Sequence, residues 1–209
     1  MSFDTSRRVR EALAELSDPK ALRALAHPKR IALLSLLTVE RELTASEAGR
    51  LLGETPASCS FHLQQLAKHG FVEEAGPGRG RRRPWRRTSS GHRWGDSAAG
   101  PEAAAAATEL SRVVQEQHAA QVLAWVDRAD SEPREWRNAA VSVDNTAYLT
   151  AAELQQLQEE LLEVVYLRLV EHYGDRLKNP IRRPPGARPV RVFGVAFPLA
   201  GPATNDGTR

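Results

Sequence analysis

Apolar positions along the chain fall into helical periods separated by short, strongly punctuated turns. Val9, Ala12, Leu13 and Leu16 recur at three- and four-residue intervals and predict a short amphipathic helix over 6–16. Asp18-Pro19 reads as a cap followed by proline at the first helical position. Leu22, Leu25 and Ala26, then Ile31, Leu34 and Leu37, continue an apolar stripe through ALRALAHPKRIALLSLL. Pro28 breaks or kinks that run, because it lacks the amide a helix interior needs.

Thr44-Ala45-Ser46-Glu47 is a capping-box pattern, and the helix it opens closes at Gly53. One residue later Thr55-Pro56 starts another helix, which runs to His69 and stops at Gly70. Two short helices joined by a tight glycine-containing turn predict a helix-turn-helix. On the second of them Cys59, Leu63 and Leu66 form the buried line, with Cys59 acting as a small hydrophobe. Ser58, Phe61, His62 and Gln65 fall on the opposite face, with Ser60 at its margin.

FVEEA reads as a strand, and PWRRT as its return partner in a hairpin tipped by GPGRG. Ser89 to Pro101 is Gly/Ser-rich and predicts a linker. Residues 102–127 are strongly helical, with Ala103, Ala107, Leu110 and Val114 on one stripe. Beyond them, AAVSVDNTAYLT alternates Val141 and Val143 with Ser142 and Asp144. A helix capped by Thr150 follows, and VRVFGVAF has strong β-propensity. Two strands and one helix do not make a sheet that is stable alone. The unit is therefore expected to pack on the long helix or to pair across a dimer. The fold class is mainly α with a small β content.

Composition adds two constraints. A single cysteine, Cys59, leaves no internal disulfide and no cysteine-built metal cage. The N-terminus has no apolar stretch of signal-peptide length and no run approaches a bilayer span, so a cytoplasmic, nucleoid-associated protein is expected. Net charge is +3 but unevenly placed. Residues 1–100 hold 17 lysines and arginines against 11 acids, and residues 101–209 hold 12 against 15. A polyanion-facing first half follows from that asymmetry.

The basic excess concentrates in the hairpin, where AGPGRGRRRPWRRT places Arg79, Arg81, Arg82, Arg83, Arg86 and Arg87 within nine residues. Arginine on a hairpin directly after a candidate recognition helix can reach phosphates or the adjacent minor groove. Two readings stand for Trp85, an anchor for the hairpin or a contact to base or sugar. The six histidines are spread over several elements, and no phosphate loop, nucleophile elbow or paired-carboxylate motif appears, so no enzyme is expected.

The stretches ALRALAHPKRIALLSLL, TASEAGRLLG and TPASCSFHLQQLAKHGFVEE closely resemble the winged helix-turn-helix of ArsR-type bacterial transcriptional regulators. Leu25 to Arg30, Ser60-Phe61-His62-Leu63 and the Lys-x-Gly-Phe-Val approach to the wing carry the likeness, over about residues 19–89. The resemblance implies a homodimer built on the long flanking helices, with two recognition helices reading a pseudo-palindromic operator in double-stranded DNA. Its implied divisions are an N-terminal helix making dimer contacts (1–18), a winged helix-turn-helix domain (19–95) and a long dimerisation helix (102–128). A C-terminal mixed α/β unit (133–200) and a disordered tail (201–209) complete the chain. Helix 56–69 would read the major groove, and the wing over 76–87 the backbone or minor groove. The contact set is then Thr44, Thr55, Ser58, Ser60, Phe61, His62, Gln65, Arg79, Arg81, Arg82, Arg83 and Arg86.

Two departures from that family matter. Its metal-sensing members carry a Cys-x-Cys pair on the first reader helix, where this chain has Ala45 to Leu52 without cysteine. Neither metal nor cofactor is therefore expected. The C-terminal unit is an addition to the minimal domain. Its aromatic residues, Trp136, Tyr148, Tyr166, Phe193 and Phe197, with Trp125, read either as ordinary core or as the lining of a small-molecule effector pocket. The expected function is a dimeric, sequence-specific repressor without a membrane partner. The alternative is a nucleic-acid binder, of RNA or of the nucleoid, that grips without reading sequence.

Overall fold

The computed structural model describes residues 7–9, 13–76, 83–89, 91–95 and 100–199. The chain divides into two compact units, Arg10–Asn145 and Met1–Val9 with Thr146–Arg209. The architecture is mainly α with a few short strands.

In the larger unit the first four helices after residue 18 begin where a capping side chain and a first-turn proline or acid demand it. Asp18 accepts from the backbone amides of Lys20 and Ala21, and α1 (Pro19–Leu25) follows. The His27 ring then caps α2 (Pro28–Glu40) by accepting from the Lys29 amide, so the proline marks a new helix rather than a kink. After β2 (Glu42–Leu43) the predicted capping box forms in full. The Glu47 amide donates to Thr44 Oγ1, and the Thr44 amide and hydroxyl both donate to the Glu47 carboxylate. It opens α3 (Ala45–Leu52), which closes at Gly53 with φ of 67°. Thr55 caps α4 (Pro56–Lys68).

A hairpin of β3 (Val72–Glu74) and β4 (Trp85–Arg87) follows, and β4 also pairs antiparallel with β2 to make a three-stranded sheet in the order β2-β4-β3. The long helix α5 runs Pro101–Arg128 and α6 is Arg134–Ala139. Leu22, Leu25, Leu33, Leu37, Leu63 and Leu66 pack with Phe71 and Val72 into one core. The first turns of α5 close it through Ala103, Ala106, Ala107 and Leu110. Small residues there let α5 lie close along α1. Full burial of each such leucine contributes about 1.5–3 kcal/mol.

Two expectations are corrected here. Ala14–Glu15 is not helical but a short strand, β1, pairing in parallel with β5 (His92–Arg93). The Ala14 and Leu16 amides donate to the Gly91 and Arg93 carbonyls. The helical spacing over 6–16 was too short to overrule that pairing; residues 7–9 alone of the described stretch are helical. The same pairing builds residues 91–94 into the body instead of leaving them a linker. Trp94 packs on the core and its Nε1 donates to Ser111 Oγ on α5 at 2.9 Å.

In the smaller unit α7 (Ala151–Leu162) opens with a second complete capping box, from Thr150 and Glu153. It passes through a wider π-turn at Glu163–Arg168 into α8 (Leu169–Lys178). Arg8 pairs with Glu171, and Val9 and Leu167 are buried. The strands of the mixed α/β expectation for 133–200 do not form within a single chain among the described residues. Segments 140–150 and 187–199 form no strand, because β-propensity makes a strand only where a neighbouring edge supplies the ladder. The tail over 201–209 lies outside the described residues.

Candidate nucleic-acid interface

The turn between α3 and α4 is tightened by a backbone crossing at Gly49. The Glu54 amide donates to the Gly49 carbonyl at 2.8 Å, and a Cβ on Gly49 would lie 2.7 Å from the Glu54 carbonyl oxygen. Gly49 therefore permits the close crossing that sets the angle of α4. Cys59, Leu63 and Leu66 bury the inner face of α4 as the spacing predicts.

The outward face differs from the expected one by about one residue of helical rotation, roughly 100°. Ala57, Phe61, Gln64 and Lys68 are exposed, with Ser60 beside them. Phe61 is 57% exposed, a large aromatic offered to solvent. His62 is buried at 9%, so its expected place on the outward face is corrected: its ring packs against His27 with centroids 4.6 Å apart. Gln65 and Ser58 are half-buried. Lys29 and Glu54 cover that flank, paired at 2.7 Å, with Lys29 Nζ also 3.5 Å from Ser58 Oγ. The Lys29 ammonium holds the Glu54 carboxyl below the ordinary carboxylate range.

Burial is the largest cause lowering the pKa values of both His27 and His62, with Arg30 and Lys29 adding to it and His27 itself acting on His62. Both rings are thereby favoured neutral. Thr44 and Thr55 use their hydroxyl oxygens as acceptors in the caps of α3 and α4, so both serve the frame of the site.

A shallow groove beside the outward face is lined by Ser46, Arg50, Ser60, Gln64, Arg83 and Trp85. Sequence reasoning missed Ser46, Arg50 and Gln64. Arg50 stands in the last turn of α3 and is exposed. Gln64 was one residue from the chosen Gln65, and periodicity over a helix whose polar residues nearly encircle it does not separate the two.

On the wing, Arg79, Arg81 and Arg82 lie outside the described residues. Arg86 sits directly opposite Glu73 in the ladder and donates to its carboxylate at 2.8 Å. Arg83 pairs with Glu74 at 3.2 Å. Both guanidinium groups are at least half exposed, so each can exchange a carboxylate for a phosphate. Arg87 turns into the body instead, donating to Thr38 Oγ1 on α2 at 2.6 Å. Trp85 packs against the core, which places it as the hairpin's anchor.

No group of three or more histidine, cysteine or acidic residues able to hold a metal occurs among the described residues. No helix among them is long and apolar enough to cross a membrane.

Two helices in a tight Gly53 turn, the second bearing an exposed polar and aromatic face beside a basic hairpin, have the form of a helix-turn-helix reader. Residues 25–75 match the family described as helix-turn-helix domain, and this match supports a DNA-binding regulator. None of the curated proteins matches the chain.

Proposed function

We propose that the protein is a dimeric, sequence-specific DNA-binding transcriptional regulator that acts as a repressor by occupying its operator. The observation that carries this reading is the single outward strip of Ala57, Ser60, Phe61, Gln64 and Lys68 on α4, flanked by Arg50 and the wing arginines. A helix of this width fits the major groove, where glutamine and serine bond base edges and an apolar ring meets a thymine methyl. Arg83, Arg86 and the sequence-adjacent Arg79, Arg81 and Arg82 supply phosphate contacts, which give affinity without sequence. The likeness to ArsR-type regulators agrees with this division of labour. Exposed Val122, Leu123 and Val126 on the last turns of α5 support the dimer, since an apolar stripe of that kind is buried when two such helices pair. An effector taken up by the C-terminal unit would be the means of release.

Recovery and sequencing of genomic fragments bound by the purified protein tests the reading. A shared site, with two half-sites spaced by about one or two helical turns, is expected. Equal enrichment of all fragments, or a preference for RNA, would instead establish a nucleic-acid binder that does not read sequence.

A further inference from the structure

Apolar exposure in this chain is concentrated at one end. Of the 20 large hydrophobic residues that stand exposed among the described residues, all but Leu51 and Phe61 lie at or beyond Val122. Leu167 is the sole buried hydrophobic among the described residues of that stretch. A stretch of this size with one buried side chain has no core of its own, and large apolar side chains exposed in such number mark surface that something covers.

Two segments carry the pattern that identifies the cover. Residues 140–150 contain Val141 and Val143, each 84% exposed, alternating with Ser142 and Asp144. That is the pattern of a strand with one apolar face. Residues 190–197, bracketed by Pro189 and Pro198, are apolar on both faces apart from Arg191, with Val190 and Val192 on one and Phe193, Val195 and Phe197 on the other beside Arg191. Such a strand belongs in the interior of a sheet. Yet both segments run without a ladder among the described residues. The backbone is already extended at Ala140 and at Thr150, the two ends of the first segment.

We infer that these two segments are strands completed by a second copy of this chain, so that the C-terminal parts of two protomers form one intertwined sheet. This deepens the dimeric part of the reading above. The occupant is a second copy because of strand number. One chain supplies two strand patterns, too few for a stable sheet, whereas two chains supply four. Two-fold exchange also leaves each interior pattern flanked on both sides. Charge agrees: Asp144 and Arg191 occupy polar positions of the two patterns with opposite sign. Dimerisation through these strands uses no residue of the outward strip of α4.

The test uses full-length chains in a Cys59→Ala background, which removes the only native thiol. One chain carries Val143→Cys and a longer tag; the other carries Val192→Cys. After co-expression, a short bismaleimide is expected to join the two chains into a heterodimer. A Ser89→Cys and Val192→Cys pair should give at least tenfold less product. Light scattering should show a dimer at 10 μM or below, on the order of the concentrations at which such assemblies are handled. Val192→Asp with Val195→Asp should weaken the dimer at least tenfold by light-scattering titration while the helical signal of the larger unit persists. A monomeric native chain, a dimer that does not cross-link at these positions, or a cross-link confined to one doubly substituted chain would each overturn the exchange. Operator binding by the native chain, measured alongside, reports on the DNA reading separately.

Discussion

The imidazole rings of His27 and His62 lie 4.6 Å apart between centroids and tilted by 42°, one capping α2 and the other buried in α4. The pair thus joins α2 to α4. His27 Nδ1 accepts the Lys29 amide and must stay unprotonated to do so. His62 Nδ1 is buried with no hydrogen-bond partner. Lys29 and Arg30 crowd the site with positive charge, and Glu54 alone opposes it.

Acid should therefore loosen this junction. Both histidines titrate below their ordinary value in the folded protein, so the unfolded chain takes up protons first as pH falls below about 6.5. The stability they contribute is complete above that pH and lost as pH drops through the lowered folded values. Half-buried His92, its pKa lowered by desolvation and by Arg87, acts in the same direction. The melting temperature is expected to fall between pH 7.5 and 5.5. In a His27→Asn, His62→Gln variant, where asparagine keeps a capping acceptor, the slope should be distinctly shallower. An identical slope in the variant would remove the pair from the account.

Gly49→Ala should destabilise the domain. Alanine at an ordinary helix interior position is favoured over glycine by about 1 kcal/mol. Here its methyl would meet the Glu54 carbonyl oxygen at 2.7 Å, a backbone atom in the turn between α3 and α4. A loss of about 1–3 kcal/mol is expected from overpacking, read by urea denaturation. A gain in stability would show that the turn yields freely.

Gln64→Ala and Phe61→Ala should change which sequences bind more than how well DNA binds in general. Loss of a bidentate base contact costs about 1–3 kcal/mol of discrimination. Competition between the recovered operator and point-substituted operators reads it directly. Gln65→Ala, half-buried beside the body, should have a smaller effect on discrimination; the reverse order would restore the face predicted from periodicity.

Glu73→Gln and Glu74→Gln should raise affinity for all duplexes, most at low salt. Each carboxylate occupies an arginine that would otherwise face phosphate. Exposed pairs of this kind contribute only about 0–1 kcal/mol to folding, so stability should hardly move. Arg83→Ala with Arg86→Ala should act oppositely and flatten the dependence of log Kd on log salt by up to about two ionic contacts. Fluorescence anisotropy across a salt series measures both. Unchanged slopes would place these arginines off the DNA.

Local chemistry made much of the reader legible. Thr44-x-x-Glu47, Gly53 and Thr55-Pro56 set helix ends through backbone groups only a few residues away, so the sequence located them closely. Cys59, Leu63 and Leu66 declared the buried face because three apolar residues on one line have no other stable place. His62 misled: its polarity suggests solvent, while a partner 35 residues earlier takes it inward. Trp94 and the short β1–β5 pairing were hidden in a Gly/Ser-rich stretch for the same reason.

What the sequence determined by itself, then, was the helices between Pro19 and Lys68 with most of their ends, the inner face of α4 and the basic character of the wing. Tertiary structure decided the rotation of α4's outward strip onto Gln64, the pairing of Arg83 and Arg86 with Glu74 and Glu73, and the failure of 140–150 and 187–199 to form strands within one chain. Caps and periods are short-range and written in neighbouring residues. The rotation of a helix, an ion pair and a strand's partner depend on groups distant in the chain, and no local pattern encodes them.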